Sequence, residues 1–541
     1  MYLLVFLRVF VAFIESSFSL RRINQENSKA NHYYSRRLPL KISSKVQMKI
    51  IGVLFLIYLL LASTLMVFGQ IQRVTNAAYF NSFIQSSIDV PFNSTIPDNL
   101  VRLVTEELAI SIARRHMSEF GSNTKVLDCH ITKTPEGKLV WIAVIGSTNV
   151  LAENYVKGFV IIDATDPTAS PEILKEEFSV GAGLWWDHDI HFRSYIGDMA
   201  KSYGVAYVTW DFTKNETVYI VTRYNVGFDL VRRYETPMIY DSQGNLYYEA
   251  ESISDIPLWI TQIYDENWLE EMINEMGCFQ RGESFDYWAG GFLWIIPPSR
   301  ERFQMTEDAR YIVDPENGDV VALICVNPVG NQRTLAGVFK ATRKGIFFYN
   351  LRSYNYISGM TAEDMVEGRL PKPATGMYDA EMPLLYPINV SGNIRLAWYV
   401  PIYWREGTWE EDETIYLAGF AIVDATEVNK IAITMIGEGL TSQQLIQNTK
   451  VDFMKLFGAA APIQLNTTVV GKYEFVEDGT THIVLQLSNS SYPWVEATSK
   501  DIPTIQWNEL MATTEEQNVI LQIEQHEDKW IIIYFDNPNI S

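Results

Sequence analysis

At 541 residues, 47% of them hydrophobic, the chain is too long for a single core and too apolar to be disordered. Its net charge of −22 is unevenly placed: residues 1–73 hold 10 basic and 2 acidic residues, residues 74–541 hold 33 basic and 63 acidic ones, a net −30. A body so acidic excludes nucleic acid as a partner, because phosphate backbones are gripped by basic patches.

Residues 1–49 form a basic N-terminal segment. Leu3 to Ile14 is apolar but short and carries Arg8; Arg21 to Gln47 is polar and basic. Met48 offers an alternative start, which would make 1–47 an over-called extension. Residues 50–69 then read IIGVLFLIYLLLASTLMVFG, twenty residues without a charge, enough to span a bilayer core as a helix. The basic residues before this run predict an N-in, single-pass orientation with the body extracytoplasmic. Two readings compete. One is a transmembrane anchor, with the lipid bilayer as a partner through 50–69. The other is a signal peptide from Met48 to Gly69, with Val67-Phe68-Gly69 as the small-residue cleavage site, which would release a secreted body. The length of the apolar core favours the anchor.

Asp98 is placed to cap a helix running to Phe120, with Gly121 at its end and Val101, Val104, Leu108 and Ile112 as the buried stripe. Asp265 to Met276 reads as a second helix, Trp268, Leu269, Met272, Ile273 and Met276 sharing one face. A third runs from Ser442 to Phe457, stopped by Gly458. Between the helices the pattern is that of strands. Five turns with glycine, ending at Gly137, Gly244, Gly318, Gly392 and Gly479, each precede an apolar or aromatic run and read as hairpin corners. An internal repeat stands out: LVWIAVIGSTNVLAENYVKGFVIIDAT from Leu139 and LAWYVPIYWREGTWEEDETIYLAGFAIVDAT from Leu396. Both share Leu-x-Trp, a loop, and Gly-Phe-x-Ile-x-Asp-Ala-Thr, the last three residues capping their own turn. No equally clear helix precedes the second copy. The tail is strand-rich, and Lys529 to Asp536 reads as a buried strand of a small barrel of OB or SH3-like type.

Helix, strand, glycine turn, strand, loop, strand over about 98–169 resembles PepSY-type and cystatin-like modules, in which one helix covers a small antiparallel sheet. The resemblance implies an extracytoplasmic, non-catalytic module that binds or restrains a partner. The whole layout is similar to that of membrane-anchored cell-envelope proteins. The fold class expected is α+β, multi-domain, with mostly antiparallel sheet modules and a few covering helices behind one transmembrane helix or signal peptide. The divisions are 1–49, 50–69, first α+β modules over 74–240, a second over 241–380, a repeat-related module over 381–460 and a small β-rich domain over 461–541.

No P-loop, Rossmann or Gly-x-Ser-x-Gly pattern occurs. The densest set of chemistry-bearing side chains is Trp185-Trp186-Asp187-His188-Asp189-Ile190-His191. Imidazoles and carboxylates suit a divalent metal, so Asp187, His188, Asp189 and His191 are the metal candidates, with Asp128, Cys129 and His130 as further ligands if the fold brings them near. A solvated polar turn is the plainer reading. Cys129 and His130 adjoin on one strand and face opposite ways, which disfavours a nucleophile and its base. Asp163 and Asp166, with Asp424 and Glu427, lack the ladder of a calcium loop and read as turn caps. Three cysteines without CxxC leave one bridge and a free thiol, or three buried thiols. Aromatic pairs such as Trp185-Trp186 and Tyr403-Trp404 suit sugar stacking, protein contacts or core packing. Six Asn-x-Ser/Thr sites, at Asn93, Asn215, Asn389, Asn466, Asn489 and Asn539, mark surface loops if the host glycosylates. The function expected is non-catalytic: binding or structural work at the cell envelope, with a protein or polysaccharide partner and no required cofactor. The alternatives are a metal-dependent hydrolase of envelope polymers and a secreted surface-assembly subunit.

Overall fold

The structure, a computed structural model, describes residues 44–540 apart from 280–301, 306–308, 407–413, 459–462 and positions 88, 93, 251, 261, 374, 391–392, 438–439, 478, 500, 503 and 527–528. Most of the basic N-terminal segment and the Asn93 site therefore lie outside the described residues. Helix α1, Ser44–Phe83, contains the apolar run and exposes Val53, Leu54, Phe55 and Leu56 among its side chains. Among the described residues no helix is long and apolar enough to cross a membrane; the side chains of Ile50, Ile51, Ser63, Leu65, Met66 and Val67 fall outside that description.

From Gln70 onward the chain is one compact unit of mostly antiparallel sheet. Strand β1, Gln85–Ser87, comes first. The first sheet is a meander of β2 (Thr124–Lys133), β3 (Leu139–Ser147), β4 (Val156–Asp163) and β5 (Glu172–Leu174). The second comprises β6 (Lys201–Asp211), β7 (Glu216–Val226), β8 (Arg232–Tyr234), β9 (Met238–Tyr240) and β10 (Leu246–Glu249). The third holds β11 (Phe303–Met305), β12 (Arg310–Val313), β13 (Val320–Pro328), β14 (Gly337–Thr342) and β15 (Gly345–Asn350), with β1 added in parallel to β15. The fourth holds β16 (Met377–Ala380), β17 (Leu384–Val390), β18 (Asn393–Glu406), β19 (Thr414–Asp424) and β20 (Ile431–Met435). The strands flanking all five glycine positions named from the sequence pair antiparallel; Gly392 itself lies outside the described residues.

The first four sheets do not have separate cores. Strands such as β3 and β13 are buried along almost their whole length, so each sheet needs a neighbour on both faces. Val140, Ile142 and Val144 pack with Val208 and Val221 of the second sheet. Val218 and Ile220 pack with Ile324 and Phe339 of the third. Val321 and Leu323 share the largest core with the fourth sheet and with the other face of the first, Trp141 and Ala143. Four sheets joined in this circular order have the layout of a four-bladed β-propeller.

A helix precedes every sheet: α2 (Glu106–His116), α3 (Ile190–Gly197), α4 (Glu266–Cys278) and α5 (Gly359–Glu367). The caps are Thr105, Asp189, Asp265 and Ser358, each accepting a backbone N–H from the first turn. The second repeat therefore does have its helix, α5, whose short, methionine- and glycine-containing sequence conceals it. The first helix starts later than Asp98 suggests. The amides of Leu103 and Val104 donate to Ala164 O, which holds that segment extended until Thr105 can cap. Asp98–Leu100 forms only a 3-10 turn, and Val101 and Val104 are buried in the extended segment.

The repeat works as one local device. Trp141 Nε1 donates to Val104 O at 2.9 Å and Trp398 Nε1 donates to Ile357 O at 3.0 Å. Asp163 Oδ1 accepts from Thr165 N, Thr165 Oγ1 and Asp166 N; Asp424 Oδ1 accepts from Thr426 N, Thr426 Oγ1 and Glu427 N. Asp424 is fully buried and also takes Arg395 Nε at 2.9 Å. Urea unfolding of the two alanine variants should therefore separate them. Asp163→Ala is expected to cost about 1 kcal/mol and Asp424→Ala about twice that; equal losses would show that the arginine contributes nothing.

Helix α6, Ser442–Lys455, is closed by a Thr441–Gln444 capping box and packs on β19 and β20. The tail forms a closed barrel of β21 (Ile463–Glu477), β22 (Thr480–Leu487), β23 (Trp494–Thr498), β24 (Asn518–His526) and β25 (Lys529–Asp536), ordered β21-β22-β23-β25-β24. Helix α7, Thr504–Ala512, lies between β23 and β24 in the chain, and β23 pairs in parallel with β25, the order of an OB-type barrel. Strand β25 is apolar on both faces because Ile532 and Phe535 fill the barrel, while Ile533 and Tyr534 line a crevice with Ile388, Tyr399 and Lys450 of the body.

Candidate functional site

Strands β2, β6 and β12 of the first three sheets and the β16–β17 connection of the fourth border a cavity of about 440 Å³. Its wall includes Cys129 and His130 from β2, Tyr207 from β6, Arg310 and Tyr311 from β12, and Glu381 and Met382 between β16 and β17. The starts of α2 and α4 add Thr105, Glu106, Asp265 and Glu266. The size suits a small ligand. A wider cleft beside the second sheet is less suited to a charged guest, because Lys201, Arg223, Glu235 and Glu249 there already pair with one another.

Arg102 dominates the cavity's electrostatics. It is 3% exposed, donates through Nη1 to Tyr311 O at 2.8 Å, approaches Met382 Sδ through Nη2, and lies 5.7 Å over the Trp141 ring. Among the described residues its buried Nε has no hydrogen-bond partner, and neither has the Nε of Arg310 beside it. Burial, and then the charge of Arg310, lower the Arg102 pKa to about 10, so it remains a cation at neutral pH. A buried cation without a carboxylate in contact is costly. Among the described residues no acid forms an ion pair with it, although the charge of Glu106 favours the cation. Glu107 and Glu381 both pair with Arg405. Burial holds Glu106 above the usual carboxylate range, the charge of His130 partly opposing it. Burial likewise raises Asp265, which accepts Asn267 N as the cap of α4. Tyr264, a further wall residue, has a buried hydroxyl without a partner among the described residues. The cavity thus offers two guanidinium edges, a phenol and two carboxyl groups whose charge is disfavoured.

None of Asp187, His188, Asp189 and His191 lines this cavity. Asp187 points to solvent, its carboxylate 3.9 Å from His188 Nε2, and His188 Nδ1 meets Ser179 O at 2.6 Å. Asp189 is committed to Phe192 N and Gly183 N at 2.9 and 3.0 Å. His191 Nδ1 lies 3.7 Å from Asp189 Oδ1. Asp128 Oδ2 lies 2.9 Å from His130 Nε2 and feels the charge of His191, so the two motifs are electrostatic neighbours. Among the described residues no three His, Cys, Asp or Glu side chains are grouped to hold a metal ion. Burial pushes the Cys129 thiol well above its usual range, with Glu106 and Asp128 adding to the effect, so it stays protonated.

Burial pulls His191 down, but Asp189, the Gly204 backbone and Asp128 together carry it above the usual imidazole value of 6.5. A folded value above the unfolded one means that the charged imidazole stabilises the fold fully below about pH 6.5, and that this contribution disappears as pH rises through the folded value. Thermal melts should show His191→Gln destabilising the chain at about pH 5.5 and nearly neutral at about pH 9. A loss of the same size at both values would place its role in packing.

Sequence reading missed Arg102, Arg310, Glu106, Asp265 and Tyr264. One signal was available: Arg102 interrupts the apolar stretch Leu100-Val101-Leu103-Val104, where a charge requires a reason.

No protein-family model matches the chain, and no curated protein matches it. Among solved structures it is similar to a family 43 glycoside hydrolase, a β-1,3-galactosidase solved with galactodeoxynojirimycin, at 12% identity. That match covers 75% of this chain and 94% of the other, with a TM-score of 0.19. A mutant levansucrase of B. megaterium matches at 8% identity over 81% and 97%, with a TM-score of 0.17. Likenesses at these scores carry no argument about fold or activity.

Proposed function

We propose that the chain is a non-catalytic, extracytoplasmic binding protein, tethered to the membrane by residues 50–69, that receives a small organic acid in the central cavity. The observation that carries the ligand is the buried Arg102 beside Arg310; Arg102 has no ion-pair partner among the described residues and, of the carboxylates, feels only the more distant charge of Glu106. An anion there gains charge-assisted, bidentate hydrogen bonds. Hydroxyl or amino groups on the same molecule would engage Tyr264, Glu106 and Asp265. The tether rests on the uncharged run, its basic flank and the exposed apolar side chains of α1.

Calorimetric titration of the full-length protein in detergent, with sugar acids, amino acids and inorganic phosphate, tests the ligand. Binding of at least one hydroxylated or amino-bearing acid, and not of its neutral amide, is expected; indifference to the whole panel, or equal binding of acid and amide, would overturn the reading. N-terminal sequencing of the mature chain tests the tether, since cleavage before Gln70 would release the body.

A further inference from the structure

The barrel carries a surface that the central cavity does not use. Along β21–β23 the side chains alternate between the barrel interior, filled by Ile483, Leu485, Val495 and Ala497, and an outer face. That outer face presents Tyr473 and Phe475 from β21, His482 from β22 and Trp494 from β23. Tyr473, Phe475 and Trp494 are 53%, 41% and 46% exposed, which is unusual for three large aromatics on one small sheet. They are also ordered against one another. The Phe475 and His482 rings stack at 4.9 Å and 14°, and the Tyr473 and Trp494 rings meet at 5.6 Å across β22. Gly471 lies opposite Gln486 on the same sheet; a Cβ there would stand 3.2 Å from Gln486 Oε1 and 3.4 Å from the Tyr473 ring. The absence of a side chain keeps a notch open beside Tyr473. Between the rings Glu496 is fixed by His482 Nδ1 at 2.6 Å and Lys529 Nζ at 2.9 Å, a positioned polar group amid apolar faces. The opposite wall of the barrel, with Gln522, Ile533 and Tyr534, is the one that meets the body.

We infer that this face is a second binding site, separate from the cavity, and that it stacks the rings of an uncharged oligosaccharide. Flat aromatic faces with hydrogen-bonding groups between them match a sugar ring, apolar on its C–H faces and polar at its rim. The charge decides against polyanions. Residues 463–536 hold three basic and twelve acidic residues, a field that repels nucleic acid and acidic polymers.

The test uses the full-length protein in detergent and follows tryptophan fluorescence. The probes are linear neutral hexasaccharides of glucose, mannose, galactose and N-acetylglucosamine, with hyaluronate and a single-stranded oligonucleotide as anionic comparisons. At least one neutral hexasaccharide is expected to bind at about 1 mM or below, with no response to either polyanion. Trp494→Ala and Tyr473→Ala should each weaken that binding about tenfold while leaving the melting temperature and the organic-acid titration unchanged. Trp494→Phe should retain most of it. No response to any neutral sugar, a response indifferent to both alanine variants, or preferential binding of a polyanion or of a protein at this face would overturn the inference.

Discussion

Asp314→Ala is expected to destabilise the chain by about 3–5 kcal/mol, and adding Lys340→Met should restore most of the loss. The two side chains are 2% and 3% exposed and meet at 2.9 Å inside the third sheet. Lys340 Nζ also reaches Pro91 O at 3.3 Å and lies 4.9 Å from the centre of the Phe92 ring. Burial holds the Asp314 carboxyl above its usual range despite that ammonium, a sign that desolvation outweighs the attraction. Removing the carboxylate leaves the buried cation only the more exposed Glu316, at 3.7 Å; removing both charges and supplying an unbranched apolar chain leaves no such cation. Chemical denaturation of the single and double variants checks the contrast. A single variant within about 1 kcal/mol of the parent would mean that water reaches Lys340 and that the pair is not buried in solution.

Arg102→Met should produce the opposite pairing of effects: loss of organic-acid binding with no loss, or a gain, of ligand-free stability. The guanidinium spends hydrogen bonds on Tyr311 O but leaves Nε bare and stands against the charge of Arg310. Methionine fills a similar volume beside Trp141 and Met382 and removes that repulsion. Loss of one charge-assisted contact is worth about 1.5–3 kcal/mol, or roughly one to two orders of magnitude in affinity. Titration and thermal melting of the same sample read both quantities. A large fall in melting temperature with affinity intact would assign Arg102 to structure and remove the central support for a ligand in the cavity.

The contrast between these residues shows what the sequence could and could not convey. Hairpins were legible because glycine turns and apolar runs are local signals. Trp268, Leu269, Met272, Ile273 and Met276 were legible as one buried helix face because their spacing is helical. The device shared by Trp141 and Trp398 left a repeat because both copies fill the same local space. The second and third sheets build the same layout around different side chains, such as Tyr219, Tyr224 and Phe339, and so left none. The cavity was illegible because its wall comes from residues 102 to 382, brought together only when all four sheets are in place. The dense run from Trp185 to His191 stands out by composition alone. The fold uses Asp189 there as a helix cap, with Asn154 clamping the backbone of Trp185 from both sides.

The segment between α1 and α2 sets an order of events during synthesis. Strand β1 pairs with Phe347, Phe348 and Tyr349, and Leu103 O accepts the hydroxyl of Tyr403, 300 residues later in the chain. At about 5–20 residues per second, the partners of the earliest residues emerge roughly 15–60 s after them. For that interval β1 is an unpaired edge, and the apolar stretch around Val101 lacks most of its core. The ring cannot close by adding its last sheet alone; it must also recapture a segment made near the beginning. Such long-range closure is slow, and the waiting chain is exposed to strand pairing with other copies. Whatever accompanies this chain while it is made therefore has most to do at residues 85–104, well before the site it will carry exists.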